Sequence, residues 1–258
     1  MNVETRAGPS VSIIPGVRAL RPVVVHAGVF RLDQPIIITI DGPAGTGKSS
    51  VARALAARLG LDFLDTGAMY RAAALVALRR GITPDDPARL VGAAIEADIR
   101  FDWSLDPPAV LAEGEVLDDE LRTARVTGIV SRVAGIPALR RHMVERQREI
   151  AKKHPRLVTE GRDQGSVVFP DAPVKFYLDA SAKVRASRRA AQLAAMGQHA
   201  DVAKLLAEIE ARDASDMSRR DGPLVRPDGA IVVDTSNLEF DGVVTELERI
   251  VRRKAEEP

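Results

Sequence analysis

The strongest constraint on how this chain can fold is the run Ile36-Ile37-Ile38-Thr39-Ile40-Asp41-Gly42-Pro43-Ala44-Gly45-Thr46-Gly47-Lys48-Ser49-Ser50. It opens with β-branched residues, the composition of a strand buried on both faces. Gly42 to Ser49 then fits G-x-x-x-x-G-K-[ST], and Val51 to Leu59 turns to Ala-, Leu- and Arg-rich sequence with helical period. The order has a physical purpose. Glycines let successive N–H groups curl toward an anion, and the helix offers its positive N-terminal end to the same anion. Lys48 adds a mobile cation, and the Ser49 hydroxyl can coordinate Mg²⁺. The segment Gly42, Pro43, Ala44, Gly45, Thr46, Gly47, Lys48, Ser49 and Ser50 is therefore expected to hold the phosphates of a nucleoside triphosphate.

The rest of the chain narrows what is done with that triphosphate. Its 258 residues, 45% of them apolar, are enough for one large domain with insertions. A net charge of +1 argues against a broad nucleic-acid surface. Aromatics at 3% disfavour platforms for stacking bases. Without cysteine there are no disulfides and no thiolate metal site. No stretch is long and apolar enough to span a membrane. Residues 1–34 mix arginines with Glu4, Pro9 and Pro15, and their most apolar part, Val23 to Phe30, is broken by His26 and Gly28. They read as a poorly ordered extension rather than a secretory signal. A cytoplasmic monomer, binding neither nucleic acid nor membrane, is expected.

Beyond the first helix, Leu61 to Leu64 predicts a short second strand. Thr66 is a candidate N-cap for a helix to about Arg80, ended by Gly81. A further helix should run to about Ala97. Ile99 to Trp103 and Ala109 to Val116 read as short strands of an antiparallel insertion, with turns at Pro107-Pro108 and Glu113-Gly114-Glu115. Leu121 to Lys153 is helical with a break at Gly135-Ile136-Pro137. Leu157 to Glu160 is a strand entering the loop Gly161-Arg162-Asp163-Gln164-Gly165. Val174 to Leu178 is another strand, with Asp179 and Ser181 available to cap a helix over Ala182 to Met196. A helix over about Val202 to Ser218, a strand over Ile231 to Thr235 and a helix from Phe240 to Arg253 complete the chain. Strands alternating with helices predict a parallel sheet covered on both faces. Ligands in such sheets sit beyond the C-terminal strand ends, where Gly42 to Ser49, Thr66, and Gly161 to Gly165 fall.

If the acceptor is itself a phosphate, a second set of cations must neutralise it, and arginine suits planar, bidentate phosphate recognition. Arg71, Arg140, Arg162, Arg188, Arg189, Arg212 and Arg219 are candidates. Arg212, Asp216 and Arg219 are spaced i, i+4, i+7 and should share one helix face. Taken alone they could be surface ion pairs of little consequence. Arg162-Asp163, on a glycine-bracketed loop at the ligand end of a strand, points to a ligand more strongly.

Four stretches together resemble the bacterial cytidylate kinases: Asp41 to Lys48, Asp65 to Arg71, Glu160 to Gly165, and Arg212 to Arg219. Phe169 to Lys175 adds a fifth. The resemblance covers about Pro35 to the end. It implies a three-layer P-loop nucleoside monophosphate kinase fold, with a monophosphate-binding insertion at about 95–155 and a helical lid at about 188–220. It implies transfer from ATP to CMP or dCMP with Mg²⁺. Thr66, Arg71 and Arg162 would contact the CMP phosphate. Ser131, Arg140 and Asp163 would read cytosine. Arg212 and Asp216 would reach ribose and phosphate. Lys48, Arg162, Arg188, Arg189 and Arg219 would surround the transferring group. Two departures stand out: Thr66 occupies a position where serine is common, and Ser49 one where glycine is frequent, which weakens its metal role. A kinase of the same fold acting on AMP or a metabolite acid is the alternative. A regulatory GTPase is disfavoured, because no Asn-Lys-x-Asp guanine-reading motif is present.

Overall fold

The computed structural model describes residues 33–117, 120–195 and 197–256. The extension expected over residues 1–34 therefore lies, except for Asp33 and Gln34, outside the described residues. In chain order the elements are β1 Ile36–Asp41, α1 Lys48–Leu59, β2 Asp62–Asp65, α2 Thr66–Arg79, α3 Pro87–Glu96, β3 Arg100–Asp102, β4 Ala109–Ala112 and β5 Glu115–Val116. There follow α4 Ala124–Ala134, α5 Pro137–Lys153, β6 Arg156–Glu160, a single π-helical turn at Gln164–Val168, β7 Val174–Asp179, α6 Ala182–Ala195, α7 Val202–Met217, β8 Ile231–Asp234 and α8 Phe240–Glu256.

Five strands form one parallel sheet in the order β2-β6-β1-β7-β8. β1 is central, with Ile38 opposite Val158 on one side and Val174 on the other. Its period-two pattern serves two cores. Ile38 and Ile40 face a cluster built with Leu55 and Leu59 of α1, Phe176 of β7, and Val244 and Leu247 of α8. Ile37 faces the other way, toward a cluster built from α2, α3, α4 and α5. The sheet is thus covered on both faces, as alternating strands and helices predict. The chain leaves β1 toward β2 but leaves β6 toward β7, so the ligand crevice opens above the middle of the sheet. The second sheet, β3-β4-β5, is antiparallel and matches the insertion expected between Ile99 and Val116. Among the described residues no helix is long and apolar enough to cross a membrane.

The helix ends follow local chemistry, with two departures from expectation. Gly47 precedes α1 at φ 87°, and Gly60 ends it at φ 64°, both in the left-handed region that glycine tolerates. Thr66 does not cap α2. Asp65 does, accepting from Ala68 N–H at 2.9 Å, and Thr66 becomes the first helical residue. The carboxylate is the better acceptor for a free helix N–H, which releases the threonine hydroxyl for another task. Ser181 caps α6 by accepting from Val184 N–H at 3.3 Å, while the Asp179 carboxylate accepts from the adjacent Ala180 N–H instead of a helix N–H. Arg219 lies past the end of α7, so it does not continue the face of Arg212 and Asp216 as a helix would. It returns toward that face from the following turn.

The entry to the phosphate loop is tightly fitted. Gly42 has φ 146°, and a Cβ placed there would overlap the Leu178 carbonyl on the neighbouring strand. Gly42→Ala is expected to destabilise the fold by about 1–3 kcal/mol, lowering the melting temperature by roughly 2–12 °C for a domain of this size. Differential scanning calorimetry against wild type measures this, and an unchanged melting temperature would contradict the close approach.

Candidate active site

The phosphate loop lies between β1 and α1, and Lys48 is folded back across it. Its ammonium donates to Pro43 C=O at 2.7 Å and to Thr46 Oγ1 at 3.5 Å. Thr46 Oγ1 in turn donates to Pro43 C=O at 3.1 Å. Lys48 is 5% exposed. Burial, followed by the charge of Arg162, pushes it down to about 7, against the pull of Glu160 and Asp41.

Ser49 takes a partner that sequence reading did not assign. Its hydroxyl donates to Glu160 Oε1 at 2.7 Å. Glu160 closes β6, the strand beside β1, and sits opposite Asp65 at the end of β2. Burial first, and the Glu160 carboxylate second, push Asp65 upward. A hydroxyl beside two carboxylates is an all-oxygen donor set, which fits a hard cation such as Mg²⁺. Glu160 could have been found from sequence as the carboxylate ending an apolar strand, but only with the strand order known.

The loop after β6 carries Arg162 and Asp163. Its position is set by Asp41, which accepts from Gln164 N–H at 2.8 Å and Gly165 N–H at 2.7 Å. The Gln164 side chain accepts from Thr159 Oγ1 at 2.8 Å and donates to Gln147 Oε1 at 3.1 Å. Asp163 forms a buried ion pair with Arg140. Arg140 also donates to Ala134 C=O at 3.2 Å and lies over the Tyr70 ring, 5.6 Å from its centre. Gly222 covers this pair so closely that a Cβ there would overlap both charged groups. Asp216, 1% exposed, gathers three donors. It accepts from Arg162 Nε at 3.0 Å, from Ser131 Oγ at 3.0 Å and from Arg219 Nη2. Burial pushes Asp216 up, but Arg162, Arg219 and Arg212 outweigh it and hold the carboxyl below its usual range.

Cations exceed their partners here. Burial lowers Lys48, Arg71, Arg212 and Arg219, and Arg162 depresses all four further. Arg212 is pushed down to about 10, with Arg71 and Arg219 adding to the repulsion. The Nε atoms of Arg212 and Arg219 are buried and have no hydrogen-bond partner among the described residues. Arg71 donates to Leu121 C=O at 3.1 Å and Thr127 Oγ1 at 3.0 Å. It also lines a cleft of about 430 Å³ shared with Ser50, Arg53, Phe63, Phe101 and Arg122. Such a cluster is an anion sink.

Three of the candidate residues make contacts other than those the resemblance implies. Thr66 is 2% exposed, and its hydroxyl donates to Glu160 C=O at 2.7 Å. Contact with a phosphate would require this proton to turn from the backbone carbonyl. Arg188 turns to the end of β8, where its guanidinium meets the Thr235 hydroxyl and carbonyl. Arg189 is exposed and takes no part in the cluster. The arginine of α6 that does reach the phosphate loop is Arg185. It donates to Ala44 C=O and Ala180 C=O, each at 2.9 Å, and pairs with Asp213 of α7 at 2.6 Å.

The cytidylate kinase family profile matches residues 38–253. This chain belongs to the cytidylate kinase family. It is 46% identical over 224 residues to a cytidylate kinase of Rhodococcus opacus (strain B4), covering 85% of this chain and 96% of that protein. It is 44% identical over 222 residues to one of Nocardia farcinica (strain IFM 10152), covering 86% and 96%. A third, from Symbiobacterium thermophilum, is 45% identical over 221 residues, covering 85% and 97%. The match takes in the phosphate loop, the insertion and the α6–α7 pair alike.

For a cytidylate kinase, the state of Lys48 has a measurable consequence. Held down to about 7, it is largely neutral at pH 8 in the free protein. A bound triphosphate favours the charged form and raises its pKa, so binding must take up protons. At pH 8 uptake approaching about one proton is expected on binding an ATP analogue, falling toward zero near pH 5.5, where Lys48 is already charged. Calorimetry in buffers of different ionisation enthalpy reads it. Equal uptake in wild type and Lys48→Met would contradict the assignment.

Proposed function

We propose that the protein transfers the γ-phosphoryl group of ATP directly to CMP and dCMP, giving ADP with CDP or dCDP. Membership of the cytidylate kinase family supports the reaction. The observation that carries the site assignment is the excess of positive charge, five cations (Lys48, Arg71, Arg162, Arg212 and Arg219) gathered around Asp216 near the C-terminal ends of β1, β2 and β6. One phosphate-rich ligand on the loop needs Lys48. The arginines beyond it suit a second anion facing the first.

In this reading Gly42 to Ser50 binds the triphosphate. Arg71, Arg162 and Arg212 bind the acceptor phosphate, and Arg162 with Arg219 stabilises charge on the moving group. The acceptor is already an anionic oxygen, so no strong general base is required. Ser131, Arg140 and Asp163 meet the cytosine, and Asp216 the ribose. The nucleotide takes over bonds that these residues now make to one another, so binding exchanges polar contacts instead of leaving any unmade. Ser49 and Glu160, with Asp65 behind them, are the residues that would hold Mg²⁺, which when bound offsets triphosphate charge. Residues 95–155 form the monophosphate-binding insertion. α6 and α7 form the lid, and its movement would be needed to bring Arg188 and Arg189 to the phosphates. The protein acts as a cytoplasmic monomer on small nucleotides, without nucleic acid or membrane.

A coupled assay across CMP, dCMP, UMP, AMP and GMP tests the reading. CMP and dCMP should exceed the others by at least about 100-fold in kcat/KM, because a site built to pair polar groups rejects ligands that leave them unpaired. Arg162→Ala should lower kcat by roughly 10²–10³-fold with the fold intact by circular dichroism. Equal use of all five acceptors, or a near-normal Arg162→Ala enzyme, would overturn it.

A further inference from the structure

Asp41 ends β1 immediately before the phosphate loop, and its side chain points to the neighbouring loop instead. It is 0% exposed. One carboxylate oxygen accepts from Gln164 N–H at 2.8 Å and the other from Gly165 N–H at 2.7 Å. These amides directly follow Arg162 and Asp163. On the other side of that pair, Gly161 N–H donates to Ile40 C=O at 3.1 Å. The loop is therefore pinned at both ends by two consecutive residues of β1. It also has little room to shift. A Cβ at Gly161 would lie 2.7 Å from Thr66 Oγ1, and one at Gly165 would lie 2.8 Å from Thr39 Oγ1.

Two N–H donors side by side need two acceptors. A carboxylate supplies both, whereas an amide supplies one oxygen and sets an NH₂ group against the second donor. Burying a carboxylate is costly unless its bonds are made, so a position that needed only volume would be filled by an apolar residue. We infer that Asp41 is a positioning residue: it fixes the loop bearing Arg162 and Asp163, and so couples the acceptor site to the strand that carries the phosphate loop. This rests on the reading that Arg162 and Asp163 serve the acceptor. Burial pushes Asp41 up to about 7, with the Gly165 and Gln164 amides and Lys48 of α1 opposing and Asp163 of the loop adding to the rise. As pH falls through 7 the protonated carboxyl places an O–H against an amide N–H, and the loop loses one of its anchors.

The test is Asp41→Asn in the full chain, with folding checked by circular dichroism. Affinity for a fluorescent ATP analogue should stay within about 2-fold of wild type, while kcat/KM for CMP falls by about 30-fold or more. The acid limb of the pH profile for kcat/KM should move to lower pH. In an Arg162→Ala background the same substitution should add almost nothing, because residues acting through one another are non-additive. Comparable losses of ATP-analogue binding and CMP turnover, or losses that multiply in the double variant, would overturn the proposal. If Asp41→Asn does not fold, amide hydrogen exchange on wild type decides. Protection of Gln164 and Gly165, corrected for intrinsic rate, should fall between pH 7.5 and 6 relative to Leu157 and Val158. Unchanged relative protection would refute the proposal. Absence of CMP turnover in wild type would refute the activity instead, and the exchange measurement would still judge the anchor.

Discussion

Arg162 repels Lys48, Arg71, Arg212 and Arg219, and most of the polar structure around the crevice answers that repulsion. Like charges gathered on the loop, α2 and α7 oppose one another unless carboxylates lie between them. Asp216 opposes them most directly, through Arg162 and Arg219. The apolar clusters on either side of the sheet supply the rest, holding β1, β6 and β7 together beneath the cations. On the proposed reading, a dianionic phosphate entering this crevice would relieve repulsion already built into the fold.

The same crevice is internally paired. Arg140 holds Asp163 under Gly222, and Ser131 and Arg219 hold Asp216. Breaking one partner of a buried pair is strongly destabilising, whereas exchanging partners is not. Selectivity follows from this balance. On the proposed assignment, a nucleotide whose base and sugar match the donors and acceptors would replace the internal bonds, and one that does not match would leave buried charge unpaired. Arg185 ties these helices to the loop, since one guanidinium joins α6 to the phosphate loop through Ala44 and to α7 through Asp213. Movement of either helix is therefore felt at the triphosphate site.

Much of this was legible in the linear sequence. The isoleucine run, the glycine pattern and Lys48 define β1, the loop and α1, because each depends on residues close in sequence. The short strands β3 to β5 are legible for the same reason, with Pro107-Pro108 and Glu113-Gly114-Glu115 punctuating them. The partners of Ser49 and Asp41 are not. Glu160 meets Ser49 only because β6 lies beside β1, and strand order is a long-range property that no local pattern encodes. Asp41 stands one residue before the phosphate-loop signature, yet its side chain serves the loop after β6. Thr66 was read as a cap from its position before a helix, but Asp65 competes for that role and wins. Arg188 and Arg185 differ by three residues on one helix, and only the packing of α6 reveals that the second faces the phosphate loop.

The central claim is that the second anion sits among Arg71, Arg162 and Arg212. A crystal structure with CMP and a non-hydrolysable ATP analogue tests it most directly. The claim requires the CMP phosphate within hydrogen-bond distance of those three guanidinium groups, with Asp163 turned to the exocyclic amine of cytosine. A CMP phosphate bound instead in the cleft at Arg53 and Arg122, with the Arg162–Asp216 and Arg140–Asp163 pairs unchanged, would contradict it.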